Sequence, residues 1–230
     1  MRRITVAIDG YSSSGKSTMA RELARRVGYV YVDSGAMYRA VTLYALEHGL
    51  IHNNNTIDRE GLIKLLDNIR INFAPAGEDG TQHTLLNGRD VEREIRDMQV
   101  SSMVSPIAEI KEVREHLVRL QQELGKEKGI IMDGRDIGTT VFPDAEMKVF
   151  VDASADVRAH RRQKEMEARG EKVKYEDILE NIKNRDHIDS TRAISPLRKA
   201  QDAHVLNNDN LDHTQQMEWL INLFNVITHE

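Results

Sequence analysis

Residues Gly10-Tyr11-Ser12-Ser13-Ser14-Gly15-Lys16-Ser17 follow the pattern G-x-x-x-x-G-K-[ST] in full. Such a loop turns backbone N–H groups inward around phosphate oxygens, and its glycines permit the backbone angles and the close approach. The helix that follows adds unpaired N–H groups and the positive end of its dipole. Lys16 is placed to bridge the β- and γ-phosphates of a nucleoside triphosphate, and Ser17 to put a hydroxyl on Mg²⁺. The candidate nucleotide-binding set is therefore Gly10, Tyr11, Ser12, Ser13, Ser14, Gly15, Lys16, Ser17 and the adjoining Thr18, with Ser17 the candidate metal ligand. The loop alone does not choose between a kinase, a hydrolase and a nucleotide-driven switch. The short chain and a surplus of arginines in its C-terminal third favour phosphoryl transfer.

Those arginines fall in two groups. Arg158, Arg161 and Arg162 lie on one predicted helix, while Arg185, Asp189 and Arg192 stand at i, i+4 and i+7 and so share a helical face. Phosphoryl transfer needs positive charge spread over two phosphate groups in a closed, dry site. Helices that carry arginine and close as a lid supply both, and the guanidinium fork binds phosphate at two points. On spacing alone a second reading stands beside this one: Arg185–Asp189 and Asp189–Arg192 equally suit surface ion pairs worth a few tenths of a kcal/mol each.

The elements that must position these residues are read from periodicity. Ile4 to Ile8, Tyr29 to Val32, Gly129 to Met132 and Met147 to Val151 are short apolar runs closed by Asp9, Asp33, Asp133 and Asp152, and they read as buried strands; His204 to Leu206 reads as a last one. Helical spacing covers residues 16–27, 34 to near Gly49, 57–69, 98–124, 155–190 with a break at Gly170, and 214–228. Arg70 to Phe73 and Thr84 to Leu86 flank a Pro/Gly/Asp-rich turn at 75–80, and Asn87-Gly88 is a hairpin signal, so residues 70 to about 93 read as a small antiparallel insertion. Alternating strands and helices imply an α/β fold, a doubly wound parallel sheet of five strands covered on both faces. Ligands of such sheets bind at the carboxyl ends of the strands, so some of the strand-ending aspartates are expected to face one crevice.

Composition bounds the rest. A chain of 230 residues with 40% hydrophobic and 30% charged residues suits one globular domain. The net charge of −5 argues against a surface built to grip nucleic acid or an anionic membrane. The absence of cysteine excludes disulfides, thiolate metal sites and cysteine nucleophiles. Arg2 and Arg3 precede an apolar run that Asp9 ends too early for a signal core, and no stretch approaches a membrane span, so a cytoplasmic chain is expected. The nine histidines show no metal-ligand spacing, and His160 among the arginines reads as a surface residue.

Beyond the phosphate loop, four separated blocks carry a resemblance. They are Asp33-Ser34-Gly35-Ala36-Met37-Tyr38-Arg39; Asp133-Gly134-Arg135-Asp136-Ile137-Gly138-Thr139 with Val141-Phe142-Pro143-Asp144-Ala145; Asp152-Ala153-Ser154; and Arg185-Asp186 through Asp189 and Arg192-Ala193 with Ser195-Pro196-Leu197. With these blocks in order, the chain resembles bacterial cytidylate kinases, P-loop nucleoside monophosphate kinases, along nearly its whole length. The resemblance implies a single kinase domain: a core of residues 1–69, 94–154 and 190–230, an enlarged monophosphate-binding region with its insertion at about 70–93, and a helical lid at about 155–189, mobile near 155–170. It puts Ser34 and Arg39 in the monophosphate site, with Arg39, Arg135 and Arg192 on phosphate, and Asp136 on the cytosine amino group. Ser105 and Arg114 complete base recognition, and Arg185 and Asp189 hold the ribose hydroxyls. Lys16, Arg135, Arg158, Arg161 and Arg162 are the implied catalytic cations. Tyr11 departs from the pattern, since many relatives place proline there.

The implied reaction moves the γ-phosphoryl group of ATP, with Mg²⁺, to CMP and dCMP in pyrimidine nucleotide metabolism. The expected partners are those small molecules, with no nucleic-acid polymer and no membrane, and the size suits a monomer. Two rivals are a kinase of another small acceptor and a nucleotide-binding switch without turnover. Asp136, Ser105 and Arg114 separate the first from a cytidylate kinase, and acceptor-dependent ADP formation separates the second.

Overall fold

The computed structural model describes residues 2–74 and 82–229. In chain order the elements are β1 (Thr5–Gly10), α1 (Lys16–Val27), β2 (Val30–Asp33), α2 (Ser34–Glu47), α3 (Arg59–Leu65), β3 (Ile71–Phe73), β4 (Thr84–Leu86), β5 (Arg89–Asp90), α4 (Met98–Ala108), α5 (Lys111–Leu124), β6 (Ile130–Gly134), β7 (Met147–Asp152), α6 (Ala155–Ala168), α7 (Tyr175–Thr191), β8 (His204–Asn207) and α8 (His213–His229). Two compact units divide the chain, one running to Val32 and resuming at Gln122, the other spanning Asp33–Gln121.

The first unit holds the sheet. Its strand order is β2-β6-β1-β7-β8, with β1 parallel to both β6 and β7, and β7 parallel to β8. Every residue of β1 is buried, which is why that strand reads as a continuous apolar run rather than an alternating one. Ile8 lies opposite Asp133 and Asp9 opposite Phe150, so Asp9 and Asp133 sit at the carboxyl ends of adjacent strands. Met19 and Leu23 of α1 and Met217, Leu220 and Phe224 of α8 share one core with Ile4, Val6 and Ile8. Each such side chain contributes about 1.5–3 kcal/mol on burial. Helices α6 and α7 pack against each other, separated by the break expected at Gly170.

The second unit is helical, with the described part of the insertion as a small sheet. Strands β3, β4 and β5 are antiparallel, Ile71 facing Leu86 and Leu86 facing Arg89. Asn87-Gly88 makes the turn between β4 and β5, a strand of two residues too short to register as a period. The expected turn at 75–80 lies outside the described residues. Helix α2 begins where the Asp33 carboxylate accepts the Ala36 N–H at 2.9 Å, a cap worth about 1 kcal/mol. It packs against α4.

Several boundaries differ from the periodicity. The helix expected over 57–69 is α3 followed by one tight turn, Leu66–Asn68. The one expected over 98–124 is two helices, α4 ending at Ala108 two residues after Pro106. Between β6 and β7 the chain forms a wide helical turn, Ile137–Val141, in which the Phe142 N–H reaches the Ile137 carbonyl at 2.7 Å.

Candidate active site

In the first unit the phosphate loop lies between β1 and α1. A Cβ on Gly10 would stand 2.2 Å from the Val151 carbonyl oxygen, so β7 leaves room for no side chain there. Ser13 and Gly15 take positive φ, 57° and 93°, the left-handed conformation from which anion-binding concavities are built. Helix α1 starts directly at Lys16, with no side-chain cap at Gly15 among the described residues, so its N-terminal turn, where a dipole favours an anion, opens on the loop. Lys16 is buried, and its Nζ donates to the Tyr11 carbonyl at 3.0 Å. Ser17 Oγ donates to Asp133 Oδ2 at 2.7 Å, and Tyr31 Oη donates to Asp133 Oδ1 at 2.8 Å.

Two of the three arginines singled out on α6 bond to this loop. Arg158 Nη1 donates to the Ser12 carbonyl at 3.3 Å, and its fork binds Asp186 at 3.1 and 2.6 Å. The same guanidinium lies over the Tyr11 ring, 5.0 Å from its centroid, so this ring packs on a charged neighbour. Arg161 donates to the Ser14 carbonyl at 3.3 Å and to the Asn208 carbonyl at 2.5 Å. Asn208 Nδ2 donates to the Ser14 carbonyl at 2.7 Å. Arg162 stands 3.6 Å from Glu165.

A second cluster of the same unit gathers Arg135, Asp136, Asp189 and Arg192. Arg135 Nε donates to Asp189 Oδ2 at 2.9 Å, while Arg192 stands 3.7 Å from Asp189 and 3.6 Å from Asp136. Arg185, Asp189 and Arg192 are all buried, which removes the surface-ion-pair reading of that face. Helix α7 ends at Thr191, so Arg192 is not on the helix: it has extended backbone and is held by the Ser195 carbonyl at 2.9 and 2.7 Å. Burial disfavours the charged form of Arg135, but the Asp189 carboxylate overcomes this and holds its pKa above the ordinary value.

The strand-ending aspartates divide in role. Asp9 is 4% exposed and accepts the backbone N–H groups of Ile137 and Gly138, both at 2.8 Å, so it is committed to that turn and does not face an open crevice. Burial pushes its carboxyl up to about 7, against the two N–H donors that favour the charged form.

In the second unit, Ser34 is buried in the first turn of α2. Arg39 Nη2 donates to Asp33 Oδ2 at 2.9 Å, and Arg96 Nη2 reaches the same oxygen at 3.1 Å. Burial raises the Asp33 pKa, yet the two guanidiniums outweigh it and hold the carboxyl well below the usual range. Ser105 is buried on α4 and Arg114 on α5, where Arg114 Nη1 donates to the Ala108 carbonyl at 3.2 Å. The Arg114 guanidinium lies 5.3 Å from the Tyr38 ring centroid.

A family model described as cytidylate kinase matches residues 6–226. The chain belongs to the cytidylate kinase family. It is 58% identical to a cytidylate kinase of Bacteroides thetaiotaomicron over 230 residues, 100% of both chains. It is also 58% identical to one of Bacteroides fragilis over 221 residues, 96% of each. A solved structure of an uncharacterized protein from Eubacterium ventriosum covers 98% of this chain and 99% of its own at a TM-score of 0.50 and 12% identity, a likeness of fold alone.

Within this cytidylate kinase framework, sequence reasoning overlooked several residues that touch the candidate ones. Asp133 was legible as a strand end and its bond to Ser17 was not. Asp186 was legible only as part of a motif block, and Asn208 and Arg96 gave no signal, because each meets its partner across a long stretch of chain. Among the described residues, no group of three or more histidine, cysteine, aspartate or glutamate side chains is arranged to hold a metal ion. No helix among them is long and apolar enough to cross a membrane.

Proposed function

We propose that the chain transfers the γ-phosphoryl group of ATP to CMP and dCMP, giving ADP and CDP or dCDP. The observation that carries this reading is the cluster of half-buried Arg135 with buried Asp189, Arg192 and Asp136, in the unit that also holds a complete phosphate loop. The cations suit an acceptor phosphate and the Asp136 carboxylate suits the cytosine N4 amino group, a donor where uracil has a carbonyl. Arg185 and Asp189 hold the ribose. In the second unit, Ser34 and Arg39 serve the acceptor phosphate, and Ser105 and Arg114 the base.

An oxygen of the acceptor phosphate attacks the γ-phosphorus in line, the bond to the β,γ-bridging oxygen breaks, and ADP leaves with that electron pair. The nucleophile is already anionic, so no general base is needed. The chain's work is positioning and charge neutralisation by Lys16, Arg135 and the lid arginines Arg158, Arg161 and Arg162. Ser14 Oγ, buried and without a partner among the described residues, supports nucleotide binding: a phosphate oxygen there removes a cost of about 1–3 kcal/mol.

Mg²⁺ fits the oxygen pair of Ser17 and Asp133, because this ion is held by one or two protein oxygens with phosphates and water. When bound it neutralises charge on the β- and γ-phosphates. Replacing Ser17 with alanine should raise the Mg²⁺ concentration for half-maximal turnover by about tenfold. A Mg²⁺ titration at saturating nucleotides checks this, and an unchanged midpoint removes Ser17 from the ligand set. The lid at 155–189, the insertion at 70–93, a monomeric state and a cytoplasmic location complete the proposal.

ADP formation from Mg·ATP across CMP, dCMP, UMP, AMP, GMP and no acceptor tests the function. Strong turnover with CMP and dCMP, weak with UMP and none with purines is expected. Asp136→Ala should lose about tenfold or more of the preference for CMP over UMP, since the wrong base no longer meets an opposed acceptor. A retained preference rejects Asp136 as the base reader.

A further inference from the structure

We propose that Asp9 is a positioning residue for base selection, holding the turn that aims Asp136. The proposal rests on the reading of Asp136 given above. Asp9 belongs to β1 and directly precedes the phosphate loop, and no step of the reaction uses it. Its two carboxylate oxygens divide between successive donors, Oδ1 taking the Ile137 N–H and Oδ2 the Gly138 N–H, each at 2.8 Å. These are leading N–H groups of the wide turn Ile137–Val141, the ones such a turn leaves without an internal partner. No neighbouring side chain caps that turn among the described residues. The cap comes instead from 128 and 129 positions away in sequence.

Asp136 immediately precedes the turn, at φ −145° and ψ 27°. Its carbonyl accepts the Thr140 N–H at 2.8 Å and the Val141 N–H at 3.2 Å. With the next two N–H groups fixed by Asp9, both peptide planes after Asp136 are held, which steadies the backbone from which its carboxylate is aimed. The clamp is tight: a Cβ on Gly138 would stand 3.2 Å from Lys148 Cδ and 3.4 Å from Asp9 Oδ2. Selection between bases depends on the direction of one carboxylate, so a loosened turn lowers selectivity without removing the group that reads.

The test uses full-length wild type, Asp9→Asn, Asp9→Glu and Asp136→Ala. Turnover is measured with CMP and with UMP, and KM for ATP is measured at saturating CMP. Asparagine offers one acceptor oxygen and an amide that opposes the second N–H. Asp9→Asn should therefore lose about tenfold of the CMP-over-UMP ratio, mainly through a higher KM for CMP, with KM for ATP within about threefold of wild type. A folded Asp9→Asn variant that keeps the wild-type ratio overturns the proposal, whatever its melting temperature. Should it fail to fold, Asp9→Glu keeps two oxygens but displaces the turn, and an unchanged ratio there overturns it equally. In the unsubstituted protein the Ile137 and Gly138 amides should exchange with solvent about a hundredfold or more slower than free amides, and fast exchange also overturns it. If Asp136→Ala keeps its preference while Asp9→Asn loses it, the Asp136 reading has failed rather than the clamp.

Discussion

Replacing Lys16 with alanine is expected to lower turnover by on the order of a thousandfold while leaving the fold intact. Lys16 is the loop's own cation, buried at the start of α1, with Nζ resting on the Tyr11 carbonyl at 3.0 Å. Charge moves onto the leaving oxygen as the γ-phosphoryl group departs. A fixed cation in a water-poor site stabilises that charge far more than it stabilises bound ATP. The loss should therefore fall on kcat, with a smaller change in KM for ATP. Steady-state kinetics with a thermal melt of the same sample checks both halves. A kcat within tenfold of wild type removes Lys16 from the transferring group.

Asp33→Asn is expected to destabilise the protein by about 3 kcal/mol, the cost of removing one partner from a buried ion pair. For a chain of this size that is roughly a 6–12 °C fall in Tm. Asp33 carries two guanidiniums, Arg39 at 2.9 Å and Arg96 at 3.1 Å, and Arg96 is also held by Glu92. Asparagine keeps an oxygen for the Ala36 N–H, so the α2 cap survives and the effect isolates the charge. Asp33→Ala loses the cap as well and should cost about 1 kcal/mol more. The sign with pH follows from the depressed carboxyl: its contribution is present above the ordinary carboxylate pKa and is lost as pH falls through the lower folded value. The gap between wild type and Asp33→Asn should thus narrow below about pH 4. A gap that stays constant from neutral pH to pH 3 would show that Asp33 and the two arginines are not coupled in this way.

Much of the candidate site was legible because the chemistry proposed for it is local. The phosphate loop needs its lysine, its hydroxyl and its glycines within a few residues, and the strand before it and the helix after it show their own periods. The buried strands β1, β6 and β7 stand out as apolar runs because parallel strands are covered on both faces. The insertion was visible through Asn87-Gly88, while β5 was not, since Arg89–Asp90 is exposed and carries no apolar signal.

What stayed hidden depends on distance along the chain. Periodicity placed Arg192 on a helical face, yet the helix ends one residue earlier and the Ser195 carbonyl takes the side chain. The strand-ending aspartates looked equivalent, and only the fold separates Asp133, which faces Ser17, from Asp9, which caps a turn more than a hundred residues away. Arg158 was legible as a cation on a charged helix, while its bonds to Asp186 and the Ser12 carbonyl were not.

The sequence by itself determined the phosphate loop, the order of strands and helices, and the motif blocks that carry the family. Each is written in residues close together, where sterics, turn chemistry and side-chain period act directly. Tertiary structure decided which charge meets which. A buried carboxylate or guanidinium must find its partner wherever the packed chain brings one, because leaving it unpaired in a low-dielectric interior costs several kcal/mol. That requirement pairs Asp33 with Arg39 and Arg96, Asp189 with Arg135, and Asp9 with two backbone amides, and no spacing along the chain encodes those choices.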